Sequence, residues 1–171
     1  TPEKTFKSEG LILSCGSIAG ISKGKQLKIN GYDLAKSMGH KMIPIVSALT
    51  GLQCENKEFY KTAAGVRCDG KIEIWTDNGK SSKPEAEDMG ELQLTAYGVS
   101  GIPAFQVSRY AAYDIREKKK VMIQLDFLRN ITKEEICYMI HKKRKRNKNI
   151  TILQCFTGIL NDRLAAALIK E

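Results

Sequence analysis

The sequence has no apolar run approaching the ~20 residues of a membrane-spanning helix, which excludes a chain built around transmembrane helices. It has no C-x-x-C pair. Its five cysteines, Cys15, Cys54, Cys68, Cys137 and Cys155, are odd in number and widely spaced, which argues against a metal site or a disulfide framework and points to a reducing, cytoplasmic setting. Only two histidines occur, His40 and His141, and neither has a neighbour suited to a metal centre or a nucleophile–base couple. No Gly-rich loop ends in Lys-Ser or Lys-Thr, and no Ser/His/Asp or Cys/His arrangement is signalled. The start, Thr1-Pro-Glu-Lys-Thr-Phe-Lys7, lacks both an initiator Met and the order of a signal peptide, so the chain is expected to be a segment of something longer.

What is present is the composition of a globular protein. Hydrophobic residues make up 42% and charged residues 27% of 171 positions, enough for a sizeable core. Net charge is +9, with a pI near 9.3. The densest basic block is Lys142-Lys-Arg-Lys-Arg-Asn-Lys148. It follows a helix signature opening on the capping box Thr132-Lys-Glu-Glu135, so acids at the start and cations at the end complement the helix dipole. With no aromatic residue inside the block to stack on bases, a solvated helix end is expected and nucleic acid is an unlikely partner. The acids Asp77, Glu85, Glu87 and Asp88 alternate with Lys80 and Lys83, the pattern of a solvated loop and not of a metal site.

Along the chain, residues 8–20 contain Leu11-Ile12-Leu13 and predict a short strand, buried on both faces, ending in a small-residue turn. A helix is predicted from Gly31, with Tyr32, Leu34, Ala35 and Met38 on one face and Gly39-His40 as its stop. Alternation predicts strands within 49–55, over 71–76 and over 120–127, with Asp77-Asn78-Gly79 as a turn and a polar loop over 81–88. The last third is helical, with stripes at Ile136, Met139, Ile140 and at Ile152, Phe156, Ile159, Leu160, and a third helix capped by Asn161.

One stretch stands out, Gly90-Glu-Leu-Gln-Leu-Thr-Ala-Tyr-Gly98-Val-Ser-Gly101-Ile-Pro103. Leu92 and Leu94 set a strand face. Gly98 and Gly101 then give backbone freedom, Ser100 suits a helix N-cap, and Pro103 fits a first turn. A strand running through two glycines into a helix start has two readings. It is a tight structural corner, or a place where N–H groups meet an anion or a polar ring edge. Tyr97, Arg109 and Tyr113 lie on or near it, and Arg109 is either a helix-surface residue or a carboxylate holder.

These pieces occur in an order that resembles a family of bacterial flavoproteins, the BaiN-like or aminoacetone-oxidase-type NAD(P)/FAD-dependent oxidoreductases. The resemblance rests on Leu11-Ile-Leu-Ser-Cys-Gly16, Asn30-Gly-Tyr-Asp-Leu-Ala35 with Met38-Gly-His40, Gly90-Glu-Leu-Gln-Leu-Thr95, Tyr97-Gly-Val-Ser-Gly-Ile-Pro103, Phe105-Gln-Val-Ser-Arg109, Asp126-Phe-Leu128, Gly158-Ile-Leu160 and Arg163-Leu164. Ser14-Cys15-Gly16-Ser17 stands where the family has Ala-Thr-Gly-Gly, and Asn30 where it usually has Asp. The G-x-G-x-x-G pyrophosphate turn is absent from the chain.

The resemblance implies an α+β fold: a small antiparallel β-barrel or curled sheet with appended helices, preceded by a strand–helix fragment of a Rossmann-like FAD domain. It divides the chain into 1–46 (partial FAD domain), 47–128 (β-rich insert with one short helix) and 129–171 (helical part of the insert). The longer protein is expected to be an FAD-dependent oxidoreductase whose insert covers the flavin and shapes the substrate site. The chain alone is expected neither to hold FAD nor to catalyse. Implied cofactor residues are Cys15, Gly16, Ser17, Asn30, Gly31, Gly98, Ser100 and Gly101, and implied substrate residues are Tyr97 and Arg109. Expected partners are the rest of the FAD domain, NAD(P)H and a small molecule, with no membrane. Two other readings are kept, a basic β-barrel that binds nucleic acid and self-association through apolar surface around Leu11 to Leu13.

Overall fold

A computed structural model describes residues 4, 6–16, 30–76 and 82–171. The chain divides into two units, Thr1–Ile45 and Val46–Glu171. In the first, α1 (Gly31–Ser37) forms where predicted. Asn30 caps it: its Oδ1 accepts from the N–H of Tyr32 at 2.9 Å and of Asp33 at 3.0 Å. At the other end Gly39, with φ of 85°, turns the chain so that its own N–H reaches the Lys36 carbonyl and that of His40 reaches Ala35, a Schellman closure.

The strand predicted over residues 8–20 does not form among the described residues 8–16, and 17–20 lie outside them. Leu11 and Ile12 are 67% and 90% exposed. An apolar run makes a strand only when neighbouring backbone satisfies its N–H and C=O groups. All of the described strands belong to a single sheet, and that sheet lies in the second unit.

That sheet is antiparallel, five-stranded and curled into a half-barrel, in the order β1 (Leu52–Gln53), β4 (Gly98–Ser100), β3 (Ala86–Thr95), β2 (Arg67–Thr76), β5 (Val121–Asp126). Its centre is the β2–β3 pair, where Ile72 lies opposite Asp88 and Cys68 opposite Leu92. Period-two alternation sends Ile72, Ile74, Leu92 and Leu94 inward, all at 0% exposure. On the outer face Lys71 pairs with Glu73 at 2.6 Å and with Glu87 at 2.7 Å. β3 begins at Ala86 because Ala86, Glu87 and Asp88 pair with Ile74, Glu73 and Ile72, so the polar loop predicted over 81–88 is partly strand. The turn at Asp77-Asn78-Gly79 lies outside the described residues. The strand predicted within 49–55 contracts to β1, whose partner β4 offers only three residues.

Helix α3 (Ile102–Arg116) lies across the sheet with Ala104, Val107, Ser108 and Ala111 buried. Ser108 Oγ donates to the Phe105 carbonyl at 2.8 Å and accepts from the Thr50 N–H, so its burial leaves no orphaned hydroxyl. Helix α2 (Lys57–Ala63), capped by Asn56, packs Phe59, Tyr60 and Ala63 toward the core and α6 (Asp162–Lys170).

Helix α4 (Lys133–Arg146) opens on the expected capping box, with Thr132 N–H donating to Glu135 at 2.7 Å and Glu135 N–H to Thr132 Oγ1 at 3.2 Å. It has no buried residue, and Ile136, Met139 and Ile140 are only half-covered. The predicted second stripe shortens to α5 (Ile152–Cys155), closed by a turn at Gly158 (φ 82°). Asn161 caps α6, which buries Leu164, Ala165 and Ala167. No helix among the described residues is long and apolar enough to cross a membrane.

Candidate functional site

The stretch from Gly90 to Pro103 is not one strand entering a helix. β3 ends at Thr95, whose hydroxyl donates to the Gly98 carbonyl at 3.0 Å across a tight turn. β4 then returns antiparallel to β3, and only at Gly101 does the chain enter α3. Ser100 is therefore the last residue of β4 and not the N-cap. The N-cap is Gly101, which has no side chain to offer, so α3 begins without a side-chain cap and with Pro103 in its first turn.

The two corner glycines have a structural reason. A Cβ on Gly101, whose φ is 103°, would stand 2.5 Å from the Glu91 carbonyl oxygen and 3.4 Å from Leu92 Cα. A Cβ on Gly98 would run into the Leu52 carbonyl and lie 3.1 Å from Cys54 Sγ. In both cases the space of the absent side chain is taken by neighbouring backbone, which lets β1, β3 and β4 approach closely. A Val at Gly101 is thus incompatible with an undisturbed corner.

Beside this corner lies a groove of about 430 Å³ lined by Arg67, Met89, Gly90, Glu91, Gln93, Ser100, Gly101, Ile102, Pro103 and Phe105. At its rim Arg67 pairs with Glu91 at 3.0 Å, both side chains more than half exposed, so the pair contributes little stability. A second groove of about 610 Å³ shares Met89 and Ile102 and continues to Glu87, Asp88, Gln106, Arg109 and Tyr110. Met89 and Ile102, 54% and 71% exposed, form an apolar ridge common to both. Arg109 donates from Nη2 to the Tyr110 hydroxyl at 2.8 Å, with its guanidinium 4.8 Å from that ring's centroid. Among the described residues no carboxylate pairs with it, so a fork able to take an anion is held in place by an aromatic ring.

The structure thus brings Ser100 and Gly101 to one groove and Arg109 to the next. Tyr97 lines neither. It sits on the β3–β4 turn, half exposed, with its hydroxyl over Gly51. Tyr113, one turn beyond Arg109 on α3, also lines neither groove. In the first unit Cys15, Gly16 and Gly31 meet: a Cβ on Gly31 would lie 2.6 Å from Cys15 Sγ and 3.7 Å from the Gly16 carbonyl. The Asn30 side chain is committed to α1, where its Nδ2 also donates to Asp33 at 2.7 Å. Ser17 lies outside the described residues. Met89 was not singled out by sequence reasoning, and Ile102 and Phe105 entered it only within longer motifs. The available signal was a large apolar residue directly after Gly101 on a helix whose buried face starts at Pro103.

The titratable groups of the half-barrel are tuned for structure. Lys71, hydrogen-bonded to Glu73 and Glu87, has its ammonium form stabilised and in turn holds the Glu73 carboxyl below its ordinary range. Burial, reinforced by Asp69 and Glu91, pushes the Cys68 thiol up to about 11. Burial also raises Tyr60 and Cys54, leaving both neutral. None is an activated nucleophile. Among the described residues no three His, Cys, Asp or Glu side chains converge on a metal-sized space.

Fold and groove define a class: an α+β domain in which a curled antiparallel half-barrel carries a capped helical arm. Residues 46–171 match the model of the HI0933-like protein barrel and H2TH domain. The chain belongs to this family, an FAD-dependent oxidoreductase family. A curated relative, the 3-dehydro-bile acid delta(4,6)-reductase of Clostridium scindens, is 36% identical over 165 residues, which is 96% of this chain and 39% of that protein. The chain therefore spans about two fifths of the length of the curated relative it matches. Nothing in these comparisons favours the nucleic-acid reading as the function of the domain.

Among the described residues, the implied cofactor positions do not form a pyrophosphate cradle. The sequence has no G-x-G-x-x-G turn, Gly98 and Gly101 are filled by neighbouring backbone, and Asn30 is spent on a helix cap. Of the implied cofactor glycines that are described, Gly16 alone, with φ of 78° and nothing within 4 Å of a Cβ placed on it, leaves open backbone to approach.

Proposed function

We propose that this chain is the barrel and helical portion of a longer FAD-dependent reductase, covering the flavin site and shaping the space the substrate enters. The observation that carries this is the paired groove beside Gly101, with an apolar ridge of Met89 and Ile102 leading to Arg109, which has no carboxylate partner among the described residues. On this reading residues 1–46 belong to the flavin-binding domain, and Cys15, Gly16, Ser17, Asn30 and Gly31 lie on its cofactor side. Ser100 and Gly101 border the substrate groove, and Gly98 serves the sheet. The redox chemistry belongs to the flavin of the longer protein, with NAD(P)H as the expected reductant in a reducing, cytoplasmic setting. This chain's residues bind, orient and exclude water.

The relative's name describes a reductase of 3-dehydro-bile acids. We extend that to this chain as a substrate class, an apolar ring system ending in an acid. The ring body would lie on Met89, Ile102 and Phe105, and the carboxylate would pair with the Arg109 fork. The test is Arg109→Ala in the longer protein. A charge-assisted hydrogen bond is worth roughly 1.5–3 kcal/mol, so KM for the acid should rise about tenfold or more. KM for the neutral ester and the flavin spectrum should stay unchanged. Equal KM for acid and ester in both proteins would remove Arg109 from this role.

A further inference from the structure

We propose that the outer face of α4 is a binding surface for single-stranded nucleic acid, separate from the groove beside α3. At helical spacing, Ile136, Met139, Ile140 and Lys143 fall on one face, the half-covered one. Lys143 is tied down there, its Nζ donating to the Cys155 carbonyl at 2.8 Å. The opposite face presents Tyr138, Lys142 and Lys145, all exposed, with exposed Arg146 at its edge, two turns beyond Met139, and Arg144 and Lys148 flanking. No carboxylate pairs with any of these cations among the described residues. The helix's own acids, Glu134 and Glu135, sit in its first turn, one turn before Tyr138 and two or more before the cations, and Glu135 is held in the capping box.

Three features separate this face from an ordinary solvated helix end. A helix C-terminus carries roughly half a negative charge, yet six of the seven residues from 142 to 148 are cations, more than the dipole can use. Lys142 and Arg146 are like charges at i and i+4, an arrangement that destabilises a helix, left without a compensating acid. And the stripe does contain an aromatic, contributed from one turn upstream of the basic block. Tyr138 is 67% exposed, with Lys142 Nζ 5.7 Å from its ring centroid. An exposed ring flanked by cations is what a stacked base and its phosphates require, and an acidic protein surface would use only the cations.

The experiment is fluorescence anisotropy of the full 171-residue chain with a labelled oligothymidylate of about 12 nucleotides, titrated between about 20 and 200 mM salt. Lys142, Lys145 and Arg146 neutralise about three phosphates, so log K should fall with log salt at a slope of about −2. Lys142→Gln with Lys145→Gln should flatten that slope to about −0.7. Tyr138→Ala should weaken binding about tenfold while leaving the slope unchanged, because it removes a stacking face and no charge. These positions are exposed, and circular dichroism of each variant confirms its helix content. The proposal is overturned by an oligothymidylate that does not bind at the lowest salt. It is equally overturned by a Tyr138→Ala chain of undiminished affinity, or by polyglutamate or phosphatidylserine vesicles binding as tightly as the oligonucleotide.

Discussion

Leu92 and Leu94 in the second unit are wholly buried, while Leu11 and Ile12 in the first are 67% and 90% exposed. The side chains are nearly the same and the local hydrophobicity is higher in the first case. What differs is the supply of partners. Leu92 and Leu94 sit on a ten-residue strand flanked on both sides by backbone, beneath α3. The stretch around Leu11 has no strand beside it among the described residues. Apolar character states what a side chain gains from burial, and the neighbouring strands decide whether that gain is realised.

The sharpest way to break this comparison is to delete side chains in both places and follow urea unfolding by the fluorescence of Trp75, the single tryptophan, which lies on β2. Leu94→Ala should cost the second unit about 3 kcal/mol, from lost burial and the cavity left behind. Gly101→Ala, which deletes nothing, should cost about 2 kcal/mol or more, because its Cβ meets the Glu91 carbonyl at a φ of 103°. Thr132→Ala should cost α4 about 1 kcal/mol through loss of its cap, read as lower helicity and faster amide exchange in its first turn. Ile12→Ser should shift the Trp75 transition by less than about 0.5 kcal/mol. A destabilisation by Ile12→Ser as large as that of Leu94→Ala would mean that Ile12 is a core residue and that the contrast between the units is wrong.

Much of the second unit was legible because its signals are local and redundant. The alternation of Ile72, Ile74, Leu92 and Leu94, the Thr132 capping box and the Asn161 cap each have one good structural solution. The parts misread were those set by partners. β1 is short because β4 is short, β3 starts early because β2 extends to meet it, and the run at Leu11 found no sheet among the described residues. The corner shows the same limit. Ser100 has the right chemistry for an N-cap, but Gly101 occupies the place. The glycines read either as a tight corner or as openings for a ligand; at both, backbone meets backbone, and Gly101 also lines the groove. The groove itself was invisible in sequence, since Met89 and Ile102 acquire meaning only when β3 and the start of α3 are brought together. Arg109 was singled out for its chemistry, and the lack of a carboxylate at ion-pair distance among the described residues could be seen only in three dimensions.

The central claim is that this chain shapes a flavin reductase's substrate space while the grip on FAD lies in residues beyond it. It is tested most directly by purifying the 171-residue chain with excess FAD, removing free cofactor, and measuring the flavin absorption band per chain. The account predicts a colourless protein with retained helix and strand content. A yellow protein carrying close to one flavin per chain would contradict it.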